Sequence, residues 1–167
     1  TATDSSTLGA YELESTAEIT TASGTSAAAE AKTALTALLS DDADYTVKGS
    51  FGSATVKVDA GADARDVAKS FNLSAGTTGI NATAITKASI TSLTKATTIS
   101  FTLQGKSTTA STVNATVDST SNLTALKDAI NSVSGATGIS ASLTTDLSGI
   151  NLVQQDGYDI VIGDVTT

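Results

Sequence analysis

Between Thr112 and Leu143 the hydrophobic period of the chain changes twice. Residues 112–117 read as a strand that ends in Val117-Asp118. Leu123, Leu126, Ala129 and Ile130 then fall at helical spacing and make one apolar stripe. Asn122 stands where a side chain can accept from the first free N–H groups of that helix. Gly135 and Gly138 are expected to end it, and Ile139, Ala141 and Leu143 return to alternation. The pattern predicts strand, capped helix, glycine turn and strand.

The same order of residues occurs 59 positions earlier. Val58-Asp59 answers Val117-Asp118, Asp63 answers Asn122, Val67 answers Leu126, and Phe71-Asn72 answers Ile130-Asn131. Gly76 answers Gly135, and Thr78-Gly79-Ile80-Asn81-Ala82 answers Thr137-Gly138-Ile139-Ser140-Ala141. A constant offset through a helix and both its borders reads as an internal duplication. Gly79 and Gly138 share one place in it and are read as turn residues with positive φ.

Strands are expected at 45–48 and 54–59, a helix at 64–73, a strand at 80–86 and another at 88–93. The second copy gives strands at 99–103 and 112–117, a helix at 123–133, and strands at 139–144, 149–153 and 159–162, with Asp156-Gly157 as a hairpin turn between the last two. Ahead of the repeats, Tyr11-Glu12-Leu13-Glu14 alternates as a strand does. Residues 26–39 are alanine-rich, with Ala31, Leu35, Leu38 and Leu39 at helical spacing, Ser26 as the cap and Asp41-Asp42-Ala43-Asp44 as the stop. The fold class is therefore α+β and strand-rich: two repeated β-β-α-β(-β) units with short helices on small antiparallel sheets. The segments are 1–43 (leading strand and helix), 44–96 (first repeat) and 97–167 (second repeat), with the two units closely packed.

Composition narrows the core and the partners. The 167 residues contain no Trp, Met, Cys, His or Pro and only 4% aromatics, so the core is Ala, Val, Ile and Leu. About a third of the residues are Ser or Thr, which suit a polar, weakly charged strand surface. A net charge of −8 with nine Lys and Arg opposes binding to nucleic acid and to anionic membranes. No apolar run approaches the ~20 residues of a membrane span. The chain opens without a signal peptide and reads as a piece of a longer protein.

No catalytic, cofactor-binding or metal-binding residue is assigned, and an enzyme is not expected. Without His or Cys the usual zinc sites and Ser-His-Asp or Cys-His arrangements cannot be built. Lys69-Ser70 and Lys106-Ser107 offer serine–lysine pairs only as sequence neighbours, which point apart on a strand. Asp63 with Asp66 fits a helix start, Asp156 with Asp159 a turn, and Asp41, Asp42 and Asp44 a solvated loop, better than a glycosidase pair. Acidic loops invite calcium, but neither EF-hand spacing nor a nonapeptide repeat is present.

A strand ending in Val117-Asp118, a helix reading Leu123-x-x-Leu126-x-x-Ala129-Ile130-Asn131, then Thr137-Gly138-Ile139-x-Ala141 resembles the flagellin hook IN motif. That motif is found in the outer regions of bacterial flagellins and in hook-associated and filament-cap proteins. The second copy (97–163) matches better; the first (44–93) has Lys69-Ser70-Phe71-Asn72 at the equivalent place. The resemblance implies an exported structural protein, the outer, hypervariable region of a flagellin. Its partners would be other flagellin subunits, met through regions this chain lacks, and the isolated fragment would be a monomer. It implies an extracellular location in the flagellar filament, a part in filament surface and antigenicity, and O-glycosylation of exposed Ser and Thr. The Asn-x-Ser/Thr triplets at Asn72, Asn81, Asn114 and Asn122 follow from composition. Looping out of a filament core implies that Leu8–Leu13 and Val161–Val165 lie side by side. The alternatives are a hook-associated or filament-cap domain, or a glycan- or host-binding adhesin module, against which the three tyrosines Tyr11, Tyr45 and Tyr158 weigh.

Overall fold

The computed structural model describes residues 16–19, 43–91 and 93–166. Among them are nine strands and four helices: β1 (Thr16–Ile19), β2 (Ala43–Lys48), β3 (Ser53–Val58), α1 (Ala64–Asn72), α2 (Ala75–Thr78), β4 (Thr86–Ile90), β5 (Thr98–Gln104), β6 (Ser111–Thr116), α3 (Thr124–Ser132), α4 (Ser134–Thr137), β7 (Ile139–Leu143), β8 (Ile150–Gln154) and β9 (Val161–Thr166). The fold is α+β and strand-rich, with short helices. Strands form three small sheets, in the orders β1-β4-β8-β7, β2-β3 and β6-β5-β9. Every ladder is antiparallel except β1 with β4, which is parallel.

The main core lies in the second half of the chain. Ile99, Phe101 and Leu103 alternate inward along β5, facing Ala115 and Val113 of β6 in register. Leu123, Leu126 and Ile130 bring the apolar stripe of α3 onto them, and Ile139, Ile150 and Leu152 close the other side. Burial of these aliphatic groups, at about 25 cal/mol per Å² of apolar surface, is the main source of stability here.

A smaller core sits under α1. Among the described residues, Val56 and Val58 of β3 are the fully buried members there, with Val47, Ala62, Val67 and Phe71 packed at their margin. Tyr45 and Phe71 meet with ring centroids 6.2 Å apart, yet Tyr45 remains 42% exposed.

Several expectations are corrected. Residues 80–85 form no ladder with any described residue; the strand begins at Thr86, because only from there does the backbone meet β8. Asp156-Gly157 does not join a hairpin. Gly157 has the left-handed φ of 76° that such a turn uses, but β9 pairs with β5 and β8 pairs with β4 and β7. Gly135 lies inside α4 and ends nothing; Gly138 is the terminator. β2 opens at Ala43, two residues earlier than expected. The last strand runs from Val161, two residues later than expected. The expected strand at 11–14, the helix at 26–39, Asp41, Asp42 and the Leu8–Leu13 contact lie outside the described residues.

Candidate functional site

The joint between α3 and β7 is held by four side-chain hydrogen bonds. Asn131, the last but one residue of α3, clamps the backbone of Ala141: its Nδ2 donates to the Ala141 carbonyl at 2.9 Å and its Oδ1 accepts from the Ala141 N–H at 2.8 Å. Thr137 is fully buried; its hydroxyl donates to the Val133 carbonyl at 3.1 Å and accepts from the Ile139 N–H at 3.2 Å. A buried hydroxyl is tolerable only when bonded in this way. Gly138 then turns the chain with φ 70°, and its N–H donates to the Ser134 carbonyl at 2.7 Å. An added Cβ on Gly105 would collide with the Thr137 carbonyl, which also accepts from the Lys106 N–H at 2.7 Å. Helix end, turn and strand thus form one latch, with Ile130 beneath it in the core.

Fifty-nine residues earlier the same atoms meet. Asn72 Nδ2 donates to the Ala82 carbonyl at 2.9 Å and Asn72 Oδ1 accepts from the Ala82 N–H at 2.7 Å. The Thr78 hydroxyl donates to the Ser74 carbonyl at 2.9 Å and accepts from the Ile80 N–H at 3.2 Å. Gly79 has φ 76°, beside 70° at Gly138.

The helix starts differ in detail. Asp63 is the N-cap of α1, accepting from the Asp66 N–H at 2.7 Å. On α3 the cap position falls to Leu123, and Asn122 Oδ1 accepts from both the N–H and the hydroxyl of Thr124, at 3.1 and 2.7 Å. The Leu123 N–H is taken by the Leu147 carbonyl at 2.9 Å, so the β7–β8 turn supplies what Asn122 does not. Within that turn the Asp146 carboxylate accepts from the hydroxyls of Ser148 (2.6 Å) and Thr144 (2.5 Å). These bonds, Ser148 first, hold its pKa down to about 2. Asp146 escaped the sequence reading; the clustering of Thr144, Asp146, Ser148 and Gly149, all turn formers, was the available signal.

The weighed catalytic candidates are not assembled. Lys106 reaches Asp156 at 4.0 Å, while Ser107 turns its hydroxyl to the Thr109 N–H. Arg65 lies 3.7 Å from Asp63 and 3.5 Å from Asp66 and covers the Tyr158 ring at 4.5 Å, a helix-start and stacking arrangement. Asp44 is exposed on β2. Among the described residues no group of three or more acidic side chains is placed to hold a metal ion. Asn72 is held in its latch, Asn122 bonds Thr124, and Asn81 and Asn114 are exposed.

The second-half latch lies inside the span that a family comparison matches. Residues 98–156 match the flagellin hook IN motif. The match runs from β5 to the turn after β8 and takes in α3, α4 and the whole latch; it covers about a third of the chain. Ile130-Asn131 falls within the matched span, one residue in the core and the next closing the helix onto β7. The match points to a flagellin-type structural protein. Comparison with curated proteins gives no match. No helix among the described residues is long and apolar enough to cross a membrane.

Proposed function

We propose that the chain is an outer, solvent-facing portion of a bacterial flagellin, exported and displayed along the flagellar filament, with no catalytic task. Residues 44–96 and 97–167 are two copies of one IN-motif unit, preceded by a leading segment, 1–43. The observation that carries this reading is the IN-motif match at 98–156 together with the equivalent latch at Asn72, Thr78 and Gly79. Its physical task is to fold on its own and stay soluble at the density of a filament surface, which the charge of −8 favours by repulsion between copies. Other flagellin subunits are its neighbours, it shapes filament surface and antigenicity, and its exposed Ser and Thr are acceptors for glycans. Neither nucleic acid nor membrane is a partner, and the isolated chain is a monomer.

Antibodies raised against this chain test the reading by immuno-electron microscopy of the cells that produce it. Labelling along the whole filament is expected. Labelling confined to the hook junction or the filament tip assigns the chain to a hook-associated or cap protein instead, and labelling of the cell body alone overturns both.

A further inference from the structure

Gln154 ends β8 with its side chain fully buried, level with Thr86 of β4 on one side and Ile139 of β7 on the other. Its two amide atoms fare differently. Oε1 accepts from the N–H groups of Asp156 and Tyr158, each at 2.9 Å. Nε2 has no hydrogen-bond partner among the described residues and lies beside Gly138. A donor buried unpaired costs stability, so packing alone does not account for an amide here. The duplication does not account for it either: 59 positions earlier stands Lys95, which is exposed.

The two bonds to Oε1 gather residues 155–158 into a closed turn, in which Gly157 takes φ 76°. The Gly157 carbonyl accepts from the Arg65 N–H at 3.3 Å, one of the donors that the first turn of α1 leaves without a partner in the helix. The Arg65 guanidinium lies over the Tyr158 ring, 4.5 Å from its centroid. A Cβ on Gly157 would strike Ala84 and the Arg65 backbone, so the two halves touch closely here.

We infer that Gln154 is a positioning residue that fastens α1 to the second half: its Oε1 shapes residues 155–158 so that Gly157 and Tyr158 meet the start of that helix. A ladder ties β4 to β8, and the Gln154 turn does the same for α1 through one side chain. Methionine, of similar length, would fill the same space without an acceptor and leave two backbone N–H groups unserved. The inference does not depend on the functional reading above.

NMR of the intact chain tests it, through amide exchange and the ring-current shift that Tyr158 imposes on the Arg65 side-chain protons. In the unmodified protein the Asp156 and Tyr158 amides are expected to exchange at least about tenfold more slowly than free-chain rates. In Gln154→Met that protection is expected to vanish, and the Arg65 ring-current shift with it. The Ile139–Leu143 amides stay protected, as the sign of an intact core. Free-chain exchange at Asp156 and Tyr158 in the unmodified protein overturns the inference. So does a Gln154→Met chain that keeps the Arg65 shift, which would leave Gln154 to fill space only. Loss of protection at Ile139–Leu143 to the same degree also overturns it, since the residue would then support the core as a whole.

Discussion

The two latches are built alike, but they stand on different foundations. Beneath Asn131, Leu126 and Ile130 are sealed by β5, β6, β7 and β8. Beneath Asn72, Val67 and Phe71 remain half-buried over a two-stranded sheet, and α1 has no fully buried residue. The segment after each helix makes the difference. Residues 139–143 continue into the β7–β8 hairpin, which closes the core. Residues 80–85 form no ladder with any described residue and run on into β4, which joins β8 at the far side of the same sheet. A local motif is therefore stable in its own bonds, while its energetic weight comes from the layer that covers it. A two-stranded sheet is marginal alone. Its attachments to the second half, such as the Arg65 N–H on the Gly157 carbonyl at 3.3 Å and Arg65 over Tyr158, matter accordingly.

Core truncation should separate the halves most widely. Leu126→Ala, at a position 2% exposed, is expected to cost about 3 kcal/mol in chemical denaturation. Val67→Ala, the equivalent site on α1, should cost about 1 kcal/mol because its side chain is only half withdrawn from water. Equal losses would mean that the first half is as well covered as the second.

Removing the clamp should give a smaller contrast of the same sign. Asn131→Ala leaves the half-buried N–H and C=O of Ala141 unpaired and is expected to cost about 2 kcal/mol. Asn72 makes the same two bonds in an exposed setting, where water replaces them, so Asn72→Ala should cost about 1 kcal/mol or less.

The glycine turn should erase the contrast. Gly79→Ala and Gly138→Ala each force a Cβ into φ near +70°, a local backbone cost of about 1 kcal/mol that burial does not scale. Both substitutions should lower the unfolding midpoint by similar amounts. A much larger loss at Gly138 would show that its 3.1 Å approach to Gln154 Nε2 dominates over backbone strain.

These pairs also show what a single sequence reveals. Strands β2, β3 and β5–β8 and both longer helices were legible because apolar periodicity reports burial directly, and the latch positions were legible because they recur at a constant offset. Pairing partners were not. Ala82 and Ala84 alternate with polar residues as a strand does, yet nothing in that alternation says whether another backbone lies alongside. Asp156-Gly157 has sound hairpin chemistry, and Gly157 does turn left-handed. Its carbonyl, however, goes to the Arg65 N–H, and Ile162 goes to Leu103 across β5. Local turn preference cannot foresee a competition between distant sheets. The Asp146 turn was missed because its role, delivering the Leu147 carbonyl to the Leu123 N–H, exists only once β7, β8 and α3 have met.

That turn has no counterpart among the described residues of the first half, and acid should expose the asymmetry. The Asp146 carboxylate is held near pKa 2 by the Ser148 and Thr144 hydroxyls, against an ordinary value of 3.8. A carboxyl depressed in the folded state contributes stability that is fully present above its unfolded pKa and is lost as pH falls through the folded one. Asp146→Asn removes the charge that those hydroxyls serve. The gap in thermal midpoint between the original chain and Asp146→Asn should therefore be constant at neutral pH, narrow below pH about 4, and close near pH 2. Because the group is exposed, the gap is expected to be the smallest of these effects, and salt should shrink it little, since hydroxyl donors and not distant charges set the shift. Amide exchange gives its location: acid should loosen Leu123 and Leu147 first and leave the Asn72–Ala82 clamp untouched. Loosening that begins at the Asn72 latch would place the acid-sensitive element in the first half, and would show that the thin core there, not the Asp146 turn, governs the response to pH.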